Sequence, residues 1–230
     1  MKKGELKKQE ILKTAEAMFC RVGYEATSVQ DILDVLHTSK GSFYHHFVSK
    51  EALLEEICRN RVSSSSGRMS EILSSGDLPV EKMNRLLSDM IPLSGEKLSF
   101  IMMILPVFML SEGLSLRSFY AKEISSVYYE AVFSVIMEGV QQKAFHCRDI
   151  GFYTQMCLRI GNDLWIDICD RIIADEQAGN TADPTEILSM VCQYRTVLEK
   201  LLSAPFGSLE ILNITDLINL TEQIHQHWKK

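Results

Sequence analysis

Glycine and proline are scarce, at 12 and 5 in 230 residues, so few positions are suited to breaking regular structure. Strand-like alternation of apolar and polar residues does not persist anywhere, whereas apolar residues recur at helical spacing in almost every segment. That pattern predicts an all-α chain. The six cysteines (Cys20, Cys58, Cys147, Cys157, Cys169, Cys192) include no C-x-x-C pair, which argues against a disulfide scaffold, a zinc knuckle or a redox dithiol. No apolar run is long enough for a bilayer: the richest stretch, 100–110, is short and contains Pro106. The first eight residues carry four lysines and no apolar segment, unlike a secretory signal. The expected address is the cytoplasm, without membrane association. A glycine-rich phosphate loop, a nucleophile elbow and a zinc-protease motif are all absent, so no enzyme activity, metal or cofactor is expected.

With 46% hydrophobic and 23% charged residues, the chain can bury a sizeable core and is not intrinsically disordered. Its net charge of −6 argues weakly against a polyanionic partner, but the average conceals an asymmetry. Residues 1–61 hold ten lysines and arginines against nine acids, a net of +1, while residues 62–230 stand at −7. A cationic end on an anionic body suits local contact with a polyanion, and equally suits a solubilising tail.

The first helical stripe is Ile11, Leu12, Ala15, Met18, Phe19 and Val22, stopped by Gly23. Thr27-Ser28-Val29-Gln30 then reads as a capping box, with Thr27 as cap and Gln30 reaching back. The short helix it opens turns Val29, Ile32, Leu33 and Leu36 inward. A break at His37-Thr38 precedes another short helix from Ser39 to about His46, and Ser49 caps a fourth. Val62, Met69, Ile72 and Leu73 stay in phase, so that fourth helix is expected to run straight through the serines at 63–66. Further helices are expected over about 79–91, 96–111, 115–144, 149–176, 184–203 and 208–227. Asp183-Pro184-Thr185-Glu186 supplies a strong start signal for the fifth of these.

Two short helices joined by a tight turn and preceded by a longer one describe a helix-turn-helix. In the second, Ser39-Lys40-Gly41-Ser42-Phe43-Tyr44-His45-His46-Phe47, Phe43 and Phe47 share one face and can pack inward. Lys40, Ser42, Tyr44 and His45 project elsewhere, and none of the nine residues is acidic. Gly41 permits close approach to a backbone.

Residues 5 to about 62 resemble the DNA-binding domain of the TetR/AcrR family of transcriptional regulators. The resemblance is carried by Ile11-Leu12, Ala15, Phe19, Gly23-Tyr24, Thr27-Ser28, Ile32, the Ser39 to Phe47 string and Ser49-Lys50-Glu51-Ala52-Leu53. One departure stands out: the family commonly has Ala-Gly-Val where this chain has Leu36-His37-Thr38. Glycine suits a backbone with positive φ, which histidine tolerates better than most residues.

The resemblance implies a helix-turn-helix domain at 1–50 and a fourth helix from about 50 connecting it to a helical ligand-binding and dimerisation domain at 51–230. It implies phosphate contacts from Tyr44, Lys50, Thr27 and Ser28, and major-groove readout by Thr38, Ser39, Lys40 and Ser42, with Gly41 and His45 in the same surface. Lys2, Lys3, Lys7 and Lys8 would form an arm along the DNA. The partners implied are double-stranded DNA, a second copy of the chain and a small molecule. The function implied is a ligand-responsive regulator, a repressor released from a palindromic operator by an apolar or amphipathic molecule. The alternative is an all-α small-molecule-binding or interaction module that no longer reads DNA specifically.

Phe100, Met103, Phe108 and Met109 around Pro106, with Tyr128, Tyr129, Phe133 and Trp165, are the residues from which a ligand cavity could be built, although each is helix-spaced and suits a core equally well. Two long stripes, from Tyr153 to Ile168 and from Ile187 to Leu202, suit either the protomer's own core or a dimer bundle, and Gly161 would admit a closely crossing helix. Glu222-x-x-His225 lacks the second copy that a di-iron site needs and reads as a solvated helix end. Cys147, Cys157 and Cys169 have no recognised ligand spacing and read as small apolar residues.

Overall fold

The computed structural model describes residues 3–91, 98–108 and 113–228. Among them, every regular element is a helix: α1 (Lys3–Val22), α2 (Val29–Val35), α3 (Lys40–Tyr44), α4 (Lys50–Ser63), α5 (Ser66–Ser74), α6 (Pro79–Met90), α7 (Leu98–Phe108), α8 (Gly113–Gln141), α9 (Ile150–Gln177), α10 (Pro184–Leu202) and α11 (Ile214–Trp228). The all-α expectation and the order of its helices hold.

The chain forms two compact units, residues 1–63 with 99–120, and residues 64–98 with 121–230. The first unit therefore extends past residue 50 to include all of α4, and it takes in α7 and the start of α8. Its core is most of the predicted set: Ile11, Leu12, Ala15, Met18 and Phe19 of α1, Ile32 and Leu33 of α2, Phe43 and Phe47, and Leu53, Leu54 and Ile57 of α4 are buried, whereas Val22, at the end of α1, is exposed and Val29 and Leu36 are half-buried. Each large apolar side chain removed from water contributes about 1.5–3 kcal/mol before entropy is charged against it. In the second unit, α10 packs on α9 and α11, and α5 on α6. Gly161 of α9 does meet a close neighbour, since a Cβ there would lie 3.1 Å from Met90 Cε of α6.

Three local expectations are corrected. The serine run does not carry one helix through: α4 ends at Ser63 and α5 begins at Ser66, with a turn between. Ser65 keeps right-handed helical angles, φ −73 and ψ −12, and opens α5: its carbonyl accepts from Met69 N–H (3.0 Å) and its buried hydroxyl from Arg68 Nη2 (2.9 Å). The last helix starts at Ile214 instead of 208, because tertiary partners claim the backbone in between. Leu209 N–H donates to Glu199 Oε1 (3.1 Å) and Glu210 N–H to Asn84 Oδ1 (2.9 Å), while Asn84 Nδ2 donates to Ser208 O (3.1 Å). His225 is not a solvated end: it is half-buried, with Nδ1 3.0 Å from Glu176 Oε2.

Candidate nucleic-acid interface

The turn between α2 and α3 decides how the reading helix is presented. Ser28, not Thr27, caps α2, and the reciprocal partner is Asp31, not Gln30: Asp31 N–H donates to Ser28 Oγ (3.2 Å), and Ser28 N–H donates to Asp31 Oδ2 (2.8 Å). The Ser28 hydroxyl also donates to Asp31 Oδ2 at 2.7 Å, and these bonds hold the Asp31 carboxyl below its ordinary range. Gln30 instead donates to Asp34.

At the other end of α2, His37 takes φ +47, the left-handed region, with its N–H donating to Asp34 O (3.3 Å) and Thr38 N–H donating to Leu33 O (3.1 Å). This is the Schellman pair of bonds that glycine ordinarily supports. Histidine therefore preserves the turn where the family has glycine. Ser39 then caps α3, its Oγ accepting from Ser42 N–H at 3.3 Å, and Phe43 and Phe47 anchor the helix from below with ring centroids 5.7 Å apart.

What this leaves outward is a surface without a carboxylate. Ser39, Lys40, Gly41, Tyr44 and His45 are exposed, and Thr38 and Ser42 half-buried. Among the described residues, neither the Tyr44 hydroxyl nor the Lys40 ammonium has a protein partner. Nothing in the chain requires glycine at 41, since a Cβ there would sit an ordinary 3.8 Å from Ser39 Oγ. His45 and His46 contact each other edge to face, and no group of three or more His, Cys, Asp or Glu among the described residues could hold a metal.

Other residues named from the sequence serve the protein internally. Thr27 is buried and its hydroxyl donates to Gly23 O (2.7 Å), so it secures the α1–α2 loop and has no proton left to donate to phosphate. Lys50 Nζ donates to Tyr24 O (3.0 Å) and Thr27 O (3.1 Å) and stands 4.1 Å from the centre of the Tyr24 ring. Two of its three protons close the same loop. Lys7 pairs with Glu10, and Lys8 with Glu56 at 2.5 Å, both from within α1 instead of from a free arm. Arg61 of α4 pairs with Glu16 of α1 at 2.6 Å, and Arg59 joins Lys8 on Glu56, so three cations are engaged along the α1–α4 seam. Sequence reasoning missed this seam because charges opposed across two helices leave no local spacing signal.

The ligand-cavity residues divide between the two units. Phe100, Met103 and Phe108 are buried in the first, with the Phe100 and Tyr120 rings 6.0 Å apart, and Met109 lies outside the described residues. In the second, Tyr128 is buried and donates to Asp89 Oδ2 (2.7 Å) and Asp89 O (3.1 Å), and burial pushes its phenol pKa up. Trp165 is buried, and its Nε1–H has no acceptor among the described residues. Tyr129 and Phe133 are half-buried and stacked at 6.1 Å. Cys157 is buried, which pushes its thiol pKa up to about 12 and leaves it inert.

Residues 11–57 match the family model for bacterial regulatory proteins of the tetR family. That match makes residues 11–57 similar to the DNA-binding domain of that family. The chain is 40% identical over 80 residues to the HTH-type transcriptional repressor KstR2 of Mycolicibacterium smegmatis, covering 35% of this chain and 39% of that one. It is 29% identical over 141 residues to the uncharacterized HTH-type transcriptional regulator YerO of Bacillus subtilis, 59% of this chain and 49% of the relative. The matched stretches thus span half or less of these curated relatives. The fold of a TetR-family transcriptional regulator from Pectobacterium atrosepticum superimposes with a TM-score of 0.64 over 88% of this chain and 97% of that chain at 18% identity. At that identity the likeness speaks for the fold alone.

Proposed function

We propose that this chain is a ligand-responsive, DNA-binding transcriptional regulator of the TetR family, a repressor acting in the cytoplasm as a homodimer on a palindromic operator. The observation that carries the reading is the α3 surface: a capped, carboxylate-free helix whose Tyr44 hydroxyl and Lys40 ammonium have no protein partner among the described residues. Lys40 is the base-reading residue, with Thr38, Ser39 and Ser42 beside it, and a lysine there most naturally meets guanine O6 and N7. Tyr44, His45 and Ser28 reach the phosphates, and Gly41 lets the backbone come close. Lys50 and Thr27 hold the loop that presents α2, and act on DNA only through it. The match to the TetR-family model over these residues supports the assignment.

Dimerisation is supported by a half-exposed apolar stripe: Met156 and Ile160 on α9, and Met190, Tyr194 and Leu201 with exposed Val197 on α10. Two copies would deliver two reading helices to successive major grooves. Ligand response is supported by Trp165, whose buried indole N–H lacks, among the described residues, the acceptor that a guest could supply. Binding such a guest would change DNA affinity by the coupling free energy, typically about 1–3 kcal/mol.

The test is titration of the full chain, through salt, onto the duplex upstream of its own gene and onto a scrambled duplex. Sequence-dependent binding that survives moderate salt is expected. Equal, salt-fragile binding to both would sink the reading and leave a helical module that no longer reads DNA.

A further inference from the structure

A groove of about 640 Å³ runs between α8 and α9 in the second unit. Its α8 wall carries Lys122, Ser126, Tyr129 and Glu130, which recur at spacings of three and four and so share one face. Its α9 wall carries Gln155, Leu158 and Arg159. The two walls are tied to each other: buried Asn162 of α9 donates from Nδ2 to Ala121 O (3.2 Å) and Ser125 Oγ (3.0 Å) of α8. The groove is therefore formed before any ligand arrives, which lowers the entropic cost of filling it.

Several cations of this unit are engaged by carboxylates, whereas Lys143, Arg148 and Lys200, like the cations of the groove, have none among the described residues. Lys82, Arg68, Arg85 and Arg171 are all paired with carboxylates. Among the described residues Lys122 and Arg159 have no carboxylate partner, and the Ser126 and Tyr129 hydroxyls and the Gln155 amide have no hydrogen-bond partner. Two cations on facing walls repel each other and gain most from a shared anion. Glu130 lies eight residues beyond Lys122, about 12 Å along the helix, and brings the groove to a net +1. That charge matches a monoanion better than a phosphate dianion or a polyanion. Leu158 and the Tyr129 ring, held by its stack on Phe133, supply an apolar bed between the charged ends.

We propose that the groove binds a small organic carboxylate, bridged by Lys122 and Arg159, with its apolar body laid on Leu158 and Tyr129. The inference deepens the reading of a ligand-responsive regulator by naming the charge and the seat of an effector.

The test uses the full chain without DNA, sodium octanoate and sodium benzoate as probes, and calorimetry at low salt with thermal melting alongside. Octanol, octylamine and octyl phosphate serve as comparisons. Octanoate is expected to bind and raise the melting temperature, ahead of all three octyl comparisons, with benzoate as a second carboxylate of different body. Lys122→Gln and Arg159→Gln should each weaken octanoate binding about tenfold or more, since each removes charge-assisted hydrogen bonds. Lys200→Gln, on the exposed side of α10, should leave it unchanged. Three outcomes would overturn the proposal: neither carboxylate binds at millimolar concentration, the double variant binds as well as the parent, or octanol or octyl phosphate binds better than octanoate. Because DNA is absent, failure here leaves the operator titration to decide the regulator reading, and failure there leaves a carboxylate site intact.

Discussion

Lysines behave differently in two parts of the first unit, and the second unit repeats the contrast. Along the α1–α4 seam and its adjoining loop, Lys8 meets Glu56 and Lys50 meets two carbonyls, whereas Lys40 on α3 has no partner among the described residues. In the second unit Lys82 is buried against Glu138 at 2.9 Å and reaches Leu73 O, whereas Lys122 faces an open groove. A cation with an internal partner holds the fold, and one without is available to something outside it. The physical reason is desolvation: a partnered ammonium has already exchanged its water for protein acceptors, and moving it to a phosphate gains little more.

The contrast can be broken from its foundation. Phe43→Ala removes the fully buried anchor of α3 and should cost about 3–5 kcal/mol in urea denaturation, taking DNA binding with it. A loss below 1 kcal/mol would mean that α3 is not seated as described. Lys50→Met should cost about 2 kcal/mol, because two carbonyls lose charge-assisted donors. A variant as stable as the parent that binds DNA poorly would instead make Lys50 a phosphate contact.

Lys40→Ala sharpens the opposite side: stability should stay within about 0.5 kcal/mol, while discrimination of operator from scrambled duplex falls by about 1–3 kcal/mol. Equal losses on both duplexes would refute base reading by this lysine. Ser28→Ala should cost about 1 kcal/mol of head stability through loss of the cap. Its acid dependence carries a sign. The Asp31 carboxyl is depressed by Ser28, so its contribution is present above the ordinary carboxylate pKa and is lost as pH falls through the depressed value. Urea midpoints followed downward from pH ~5 should therefore fall less steeply in Ser28→Ala than in the parent. The smallest effect expected is a gain: His37→Gly should stabilise by about 0.5–1 kcal/mol, since φ +47 suits glycine better. A loss on that substitution would show that the imidazole has a role beyond the turn.

Much of this could be read along the chain because the relevant physics is local. The α1 stripe from Ile11 to Phe19, the Ser39 and Asp183 caps and the Phe43–Phe47 pair depend on spacings of a few residues, and each appears where periodicity put it, while Val22 at the end of the stripe is exposed. The capping box was legible in type but misplaced by one residue: Thr27 and Ser28 both suit the position, and only the burial of Thr27 against Gly23 separates them. The serine run misled because helical phase stays continuous across the turn that separates α4 from α5, and phase alone carries no sign of such a break.

By itself, then, the sequence determined the helical class, the helix-turn-helix and the carboxylate-free character of its second helix, since hydrophobic period, capping chemistry and composition are properties of neighbouring residues. Tertiary structure alone decided which cations remain available. Lys8 and Glu56, or Lys50 and the carbonyls of Tyr24 and Thr27, lie far apart in the chain, and only packing brings them within hydrogen-bond reach. The same holds for the groove between α8 and α9, where Lys122 and Arg159 come to line one space because the helices that carry them are pinned together through Asn162.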